Sequence, residues 1–75
     1  MDFWSAGKQV KNGMRASRTN WLQPGRVRRT LYFHAETNRY RIEYEGEGTF
    51  AYYPTKHDMA ANDWELVVVS KETKP

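Results

Sequence analysis

No cysteine occurs in the 75 residues of this chain. That excludes disulfides and thiolate metal sites, two of the usual staples of small domains, and it fits a reducing compartment. Histidine is scarce as well: His34 and His57 lie far apart with no ligand spacing between them, so no metal centre is expected. No apolar run approaches the roughly 20 residues that span a bilayer. The N-terminal residues do not read as a basic stretch followed by an apolar one, the pattern of a signal peptide. The reading is a cytoplasmic chain with no membrane partner. No glycine-rich phosphate loop is present, no Ser nucleophile has a histidine near it in the chain, and nothing in the order of residues brings His34 and His57 together as acid and base. The expectation is a protein that is not an enzyme and carries no cofactor.

What is present is a short, aromatic, basic chain. Seventy-five residues allow one domain, and a domain of this size buries only about 60% of its unfolded surface. With no covalent or metal staple, oligomerisation is the expected source of further stability. Three Trp, five Tyr and three Phe exceed what so small a core hides, and surplus aromatics belong in interfaces or ligand pockets. The net charge of +3 conceals an asymmetry. Residues 1–41 carry nine Lys or Arg against Asp2 and Glu36, whereas residues 42–75 carry three Lys against seven carboxylates. The basic part suits an anionic partner such as a phosphate; equally, the two halves complement each other within a monomer or across subunits.

Periodicity gives an α+β fold. Asp2 is a candidate N-cap; Phe3, Ala6, Gly7 and Val10 form one apolar stripe; Asn12-Gly13 ends the helix. Gly7 costs about 1 kcal/mol relative to Ala in mid-helix and suggests close approach of another backbone. Trp4 falls off the stripe. Strands are expected over 14–18, 30–34, 39–44, 49–53 and 64–69, with turns at Gln23-Pro24-Gly25, Glu36-Thr37-Asn38 and Glu45-Gly46-Glu47-Gly48. Thr55 caps a short helical turn that runs to Ala61. The result is an N-terminal helix on an antiparallel sheet of four to five strands, with a short helical turn before the last. Residues 1–69 form a single domain and 70–75 a frayed polar tail. One helix covers one sheet face, and the other face is expected to need a cover, for which a second subunit is the natural candidate.

Two patterns carry a family resemblance. The first is Phe3, Ala6, Lys11-Asn12-Gly13, Arg18 and Trp21; the second is Asp58, Met59, Ala61 and Asp63-Trp64-Glu65. In this order and spacing they resemble a family of small phage proteins, the Thoeris anti-defence sponges of the second type. The resemblance covers residues 3–21 and 58–66; the Arg- and Tyr-rich middle, 22–54, does not share it. It implies a homo-oligomer, a dimer or tetramer in the host cytoplasm, with pockets at subunit interfaces. It implies that the pockets hold a cyclic nucleotide immune signal, a cyclic ADP-ribose isomer or a cyclic oligonucleotide, without cleaving it.

The chemistry of such a ligand selects candidate residues. A purine stacks on an aromatic ring for about 1–3 kcal/mol, and phosphates suit the planar fork of arginine. Trp21 and Arg18 supply both within four residues. Phe3 and Trp64 are assigned to the opposite wall, Asp63 to a ribose hydroxyl or exocyclic amine, and Arg26 and Arg28, with Arg29, to phosphates. Each has a plainer reading. Trp64 and Phe3 suit a core, Asp58 and Asp63 suit helix caps, Arg18 suits an ion pair with a C-terminal carboxylate, and the arginine loop suits water. Trp21 is the strongest functional candidate, because its polar neighbours do not force burial. Two other functions compete: a small inhibitor that binds a host defence protein such as a CRISPR effector, with the Arg/Tyr-rich middle as its contact surface, and a nucleic-acid-binding module using residues 26–44. Against the last stand the modest net charge and the acidic residues at the hairpin tip.

Overall fold

A computed structural model describes residues 1–67. The tail at 70–75 and the last two residues assigned to the final strand lie outside the described residues. The order is α1 (Phe3–Lys11), β1 (Arg15–Arg18), a 3₁₀ turn (Thr19–Leu22), β2 (Arg29–His34), β3 (Arg39–Tyr44), β4 (Gly48–Ala51), α2 (Lys56–Ala60) and β5 (Trp64–Val67). The five strands form one antiparallel sheet in the order β4-β3-β2-β1-β5. This is the expected α+β architecture. The 3₁₀ turn was not read from the sequence, and β4 ends at Ala51 rather than Tyr53.

Local signals set the elements. The Asp2 carboxylate accepts from the Ser5 amide at 2.9 Å and caps α1. Gly13 takes a φ of 105° just past the helix end, a conformation that side chains resist. Its amide donates to the Val10 carbonyl at 2.9 Å. Thr55 and Asp58 cap α2 reciprocally: the Thr55 hydroxyl accepts from the Asp58 amide at 3.0 Å, and the Asp58 carboxylate accepts from the Thr55 amide at 3.4 Å. Asn38, with a φ of 57°, closes the β2–β3 hairpin, as short polar side chains tolerate that region.

Strand register divides the sheet into two unlike faces. Leu66, Ala16, Leu31, Ile42 and Phe50 lie side by side across all five strands. On this face α1 packs with Ala6 and Val10, both fully buried, against β1, β2 and β5. Ala6 and Ala16 are small enough to let the helix axis come close to the sheet. Trp64, Trp21, Leu31 and Ile42 complete the buried core. The alternate residues, among them Arg15, Ser17, Thr30, Tyr32, Arg41 and Glu43, occupy the other face. Both helices and the 3₁₀ turn lie on the first face. The residues of the other face are mostly polar, the composition that lets one side of an antiparallel sheet stand in water.

Gly7 has a different explanation from the expected one. Among the described residues no second backbone approaches it; the Tyr40 hydroxyl donates to its carbonyl at 3.0 Å. A Cβ built at Gly7 would lie 3.8 Å from that hydroxyl, an ordinary contact. Gly7→Ala is therefore expected to stabilise the helix by about 1 kcal/mol, raising Tm by roughly 4–8 °C in a domain this small. Differential scanning calorimetry checks this. A fall in Tm would mean that another backbone packs on Gly7 in solution.

Candidate functional site

The Asp58 carboxylate organises the helix-bearing face around β5. One oxygen accepts from Arg18 at 3.1 Å, the other from the Tyr52 hydroxyl at 2.8 Å, and the Asp58 carbonyl accepts from the Trp64 indole at 3.0 Å. Arg18 also donates to Asp63 at 3.0 Å. It sits opposite Trp64 in the β1–β5 register, which explains how a residue near the start of the chain meets two carboxylates near its end. Burial works against the Arg18 charge, but hydrogen bonds to Asp63 and Asp58 outweigh it and hold its pKa above the ordinary arginine value. Burial, and then the hydrogen bond donated to Asp58, push the Tyr52 hydroxyl well above the usual tyrosine range.

The sequence-selected residues separate in the structure. Arg18 turns its guanidinium to Asp58 and Asp63, the plainer of its two readings. Trp64 is 1% exposed and stacks edge-on to Trp21 at 5.2 Å and obliquely to Phe3 at 5.7 Å. Trp21, whose polar neighbours do not force burial, is 5% exposed. The 3₁₀ turn drops it onto Trp64 and Tyr52, a placement that its polar neighbours in sequence did not signal. Arg26 and Arg28 are exposed in the loop before β2. The Arg28 carbonyl accepts from the Glu45 amide at 2.9 Å, which seats that end of the loop beside the acidic β3–β4 turn.

The residue that best suits an anion is Arg29. Its guanidinium carbon lies 5.2 Å from the Trp21 ring centroid and 5.7 Å from that of Tyr44, and the residue is half-buried. Among the described residues it has no carboxylate within ion-pair reach. A guanidinium held against aromatic faces keeps its fork of donors rigid and weakly hydrated. Arg29, Trp21, Tyr44, Tyr52, Tyr53 and Asp58 line a cleft of about 310 Å³. A second cavity of about 400 Å³ opens beside α1, lined by Phe3, Trp4, Lys8, Tyr40, Tyr52 and Met59. Tyr52 is the wall common to both. Trp4 is 68% exposed at the second cavity's rim.

Arg29, a phosphate candidate in the sequence together with Arg26 and Arg28, is the first residue of β2, whereas the sequence begins that strand at Thr30. Begun one residue earlier, the alternation Arg29, Leu31, Phe33 puts Arg29 on the core face. Tyr52 and Tyr53 have strand composition in the sequence but follow the end of β4 at Ala51, and no spacing rule connects them to Trp21.

Fold and cleft together define a small α+β module whose site offers stacking rings and one guanidinium. The chain belongs to the Thoeris anti-defense 2-like (Tad2-like) domain family, whose model matches residues 1–67. That membership supports an anti-defence role directed at Thoeris. The match runs through residues 22–54, where the residue-by-residue resemblance lapses, so the Arg/Tyr-rich middle is part of the family domain. Among curated proteins no match was found. Within the described residues no helix is long and apolar enough to cross a membrane, and no group of His, Cys, Asp or Glu is arranged to hold a metal ion.

The Tyr52 hydroxyl supplies a pH prediction. With its folded pKa raised above that of the unfolded chain, it favours the folded state fully below the ordinary tyrosine value of about 10 and progressively less above it. Ultraviolet phenolate titration of wild type and Tyr52→Phe is expected to count the same number of ionising phenols until the fold melts. One phenol fewer in the variant during the folded-state titration would show that Tyr52 is not held by Asp58.

Proposed function

We propose that this chain binds and sequesters a cyclic nucleotide immune signal, a cyclic ADP-ribose isomer or a cyclic oligonucleotide, without cleaving it. The observation that carries this reading is Arg29: a half-buried guanidinium against the Trp21 and Tyr44 rings, with no carboxylate partner among the described residues. A phosphate supplies the missing charge through charge-assisted hydrogen bonds, and a purine supplies a stacking partner for the tyrosines around it. Membership of an anti-defence family supports the same conclusion. Trp21 contributes the ring beneath Arg29, and Arg18, Asp63 and Trp64 hold the wall behind it; Phe3 serves the adjoining cavity. Arg26 and Arg28, at the open end of the loop, steer the anion inward. The cleft volume of about 310 Å³ is at the lower end of the roughly 300–1,000 Å³ of ligand pockets, which is consistent with a site completed by a second subunit in a dimer or tetramer.

A thermal-shift panel of cyclic ADP-ribose isomers, cyclic dinucleotides and cyclic trinucleotides tests the reading. A ligand that binds only the folded state adds about 2.7 kcal/mol at a hundredfold excess over Kd, a shift of several degrees here. Arg29→Ala is expected to lose most of that shift while its own Tm stays within a few degrees of wild type. Ligand recovered after heat denaturation should be chemically intact by chromatography. A flat panel, or a cleaved ligand, would overturn the proposal.

A further inference from the structure

The face of the sheet turned away from the helices has a composition that the cleft does not use. Register places Tyr32 directly opposite Arg41, and Arg41 opposite Ala51. On the other side of Tyr32, the Arg15 guanidinium carbon lies 4.7 Å from the ring centroid. One row across the sheet therefore reads Arg15, Tyr32, Arg41. The adjoining row toward the β2–β3 turn pairs His34 with Arg39. Arg39 and Arg41 are two residues apart on one strand, about 7 Å at the usual rise. Neither has a carboxylate in ion-pair reach among the described residues, though Arg41 donates to Thr49 at 3.4 Å. Arg15 is fixed by Glu43 and by Thr30, so it acts as a brace under the Tyr32 ring more than as a free cation.

We propose that this open face binds single-stranded nucleic acid, with Tyr32 as the stacking platform and Arg39 and Arg41 on successive phosphates. The occupant is chosen by charge complementarity and by shape. A ring flanked by cations, on a flat and polar strand surface, matches bases that are already unstacked and a backbone that needs only point charges. A protein partner of this area would call for an apolar centre, and this half of the face has none. Two features of the sequence stand against this reading, the modest net charge of +3 and the acidic hairpin tip; the charge is concentrated in residues 1–41, and the tip is a matter of position. Topology sets that tip apart: Glu45 and Glu47 lie in the β3–β4 turn, past the far end of β3, about 17 Å or more from Arg39 along the strand, and Glu43, nearer to Arg41, is engaged by Arg15. Glu43 and Glu65 belong to the row on that side and pair with Thr30 and Ser17. Glu36, in the β2–β3 turn, is the one carboxylate at the basic end.

The test is fluorescence anisotropy with a labelled oligouridine of about 12 nucleotides, inside the 4–16 that comparable surfaces cover, starting at about 50 mM salt. Wild type should bind, and affinity should fall steeply as salt rises. Arg41→Gln should reduce the slope of log affinity on log salt by about 0.7. Tyr32→Ala should weaken binding roughly tenfold. Tyr32→Phe, which keeps the ring and guards against misfolding of the alanine variant, should bind as wild type. Arg29→Ala should leave oligouridine binding unchanged, while Arg41→Gln should leave the thermal shift with cyclic nucleotides unchanged, so the two sites fail or survive separately. No binding at low salt, equal affinity for Arg41→Gln and wild type, or loss of binding in Arg29→Ala would overturn the proposal. A change of mass by sedimentation in Arg41→Gln would do so too, since the face would then be a contact between copies of the chain.

Discussion

The Asp58 carboxylate is the constraint on which the helix-bearing side of this protein depends. It accepts from Arg18 on β1, from Tyr52 after β4 and from its own cap residue Thr55, and its carbonyl holds the Trp64 indole. Removing one partner of this part-buried, hydrogen-bonded ion pair leaves the other charge without compensation, at a cost below the roughly 3–5 kcal/mol of a fully buried pair. A domain of this size has a total stability of only some 5–10 kcal/mol. The hub therefore ties β5 to β1, seats Trp64 against Trp21, and stands Tyr52 upright between the two cavities. Arg18, Asp63, Trp64 and Trp21 are tied to one another through this hub beside the cleft.

That hub explains why Arg29 is the informative arginine. Arg18 and Arg15 each have a carboxylate partner, and Arg26 and Arg28 lie in an exposed loop. Arg29 alone of this group is half-buried and faces aromatic rings without a carboxylate partner among the described residues. The desolvation of a guanidinium at such a place is offset only in part by the rings, which is why the proposed anion site is placed there. Trp21 contributes by supporting the arginine from below rather than by offering an open face.

The fold was largely legible in the sequence. Asp2 and Asn12-Gly13 bracketed the helix, the alternation of Tyr40, Ile42 and Tyr44 marked a strand, and Thr55 with Asp58 announced the capped turn. These are local signals, and they correspond to local hydrogen bonds. The site was legible only in part, because its geometry is set by contacts distant in sequence. The antiparallel pairing of β1 with β5 brings Arg18 to Asp63 across 45 residues, and no local pattern specifies it. The burial of Trp21 likewise comes from Trp64 and Tyr52, not from Thr19 and Asn20 beside it. Arg29 stood out in the sequence as a basic residue suited to phosphate, but its contact with Trp21 and Tyr44 depends on pairings that no local pattern specifies.

Nuclear magnetic resonance decides whether the Arg29 cleft holds the ligand. A titration of isotope-labelled protein with a cyclic ADP-ribose isomer or cyclic oligonucleotide, following backbone amides and the three tryptophan indoles, locates the contact. Perturbations are expected to concentrate on Trp21, Arg29, Tyr44, Tyr52 and Tyr53. A saturating titration that leaves those signals in place, or moves only residues elsewhere on the domain, would contradict the Arg29 cleft as the ligand site.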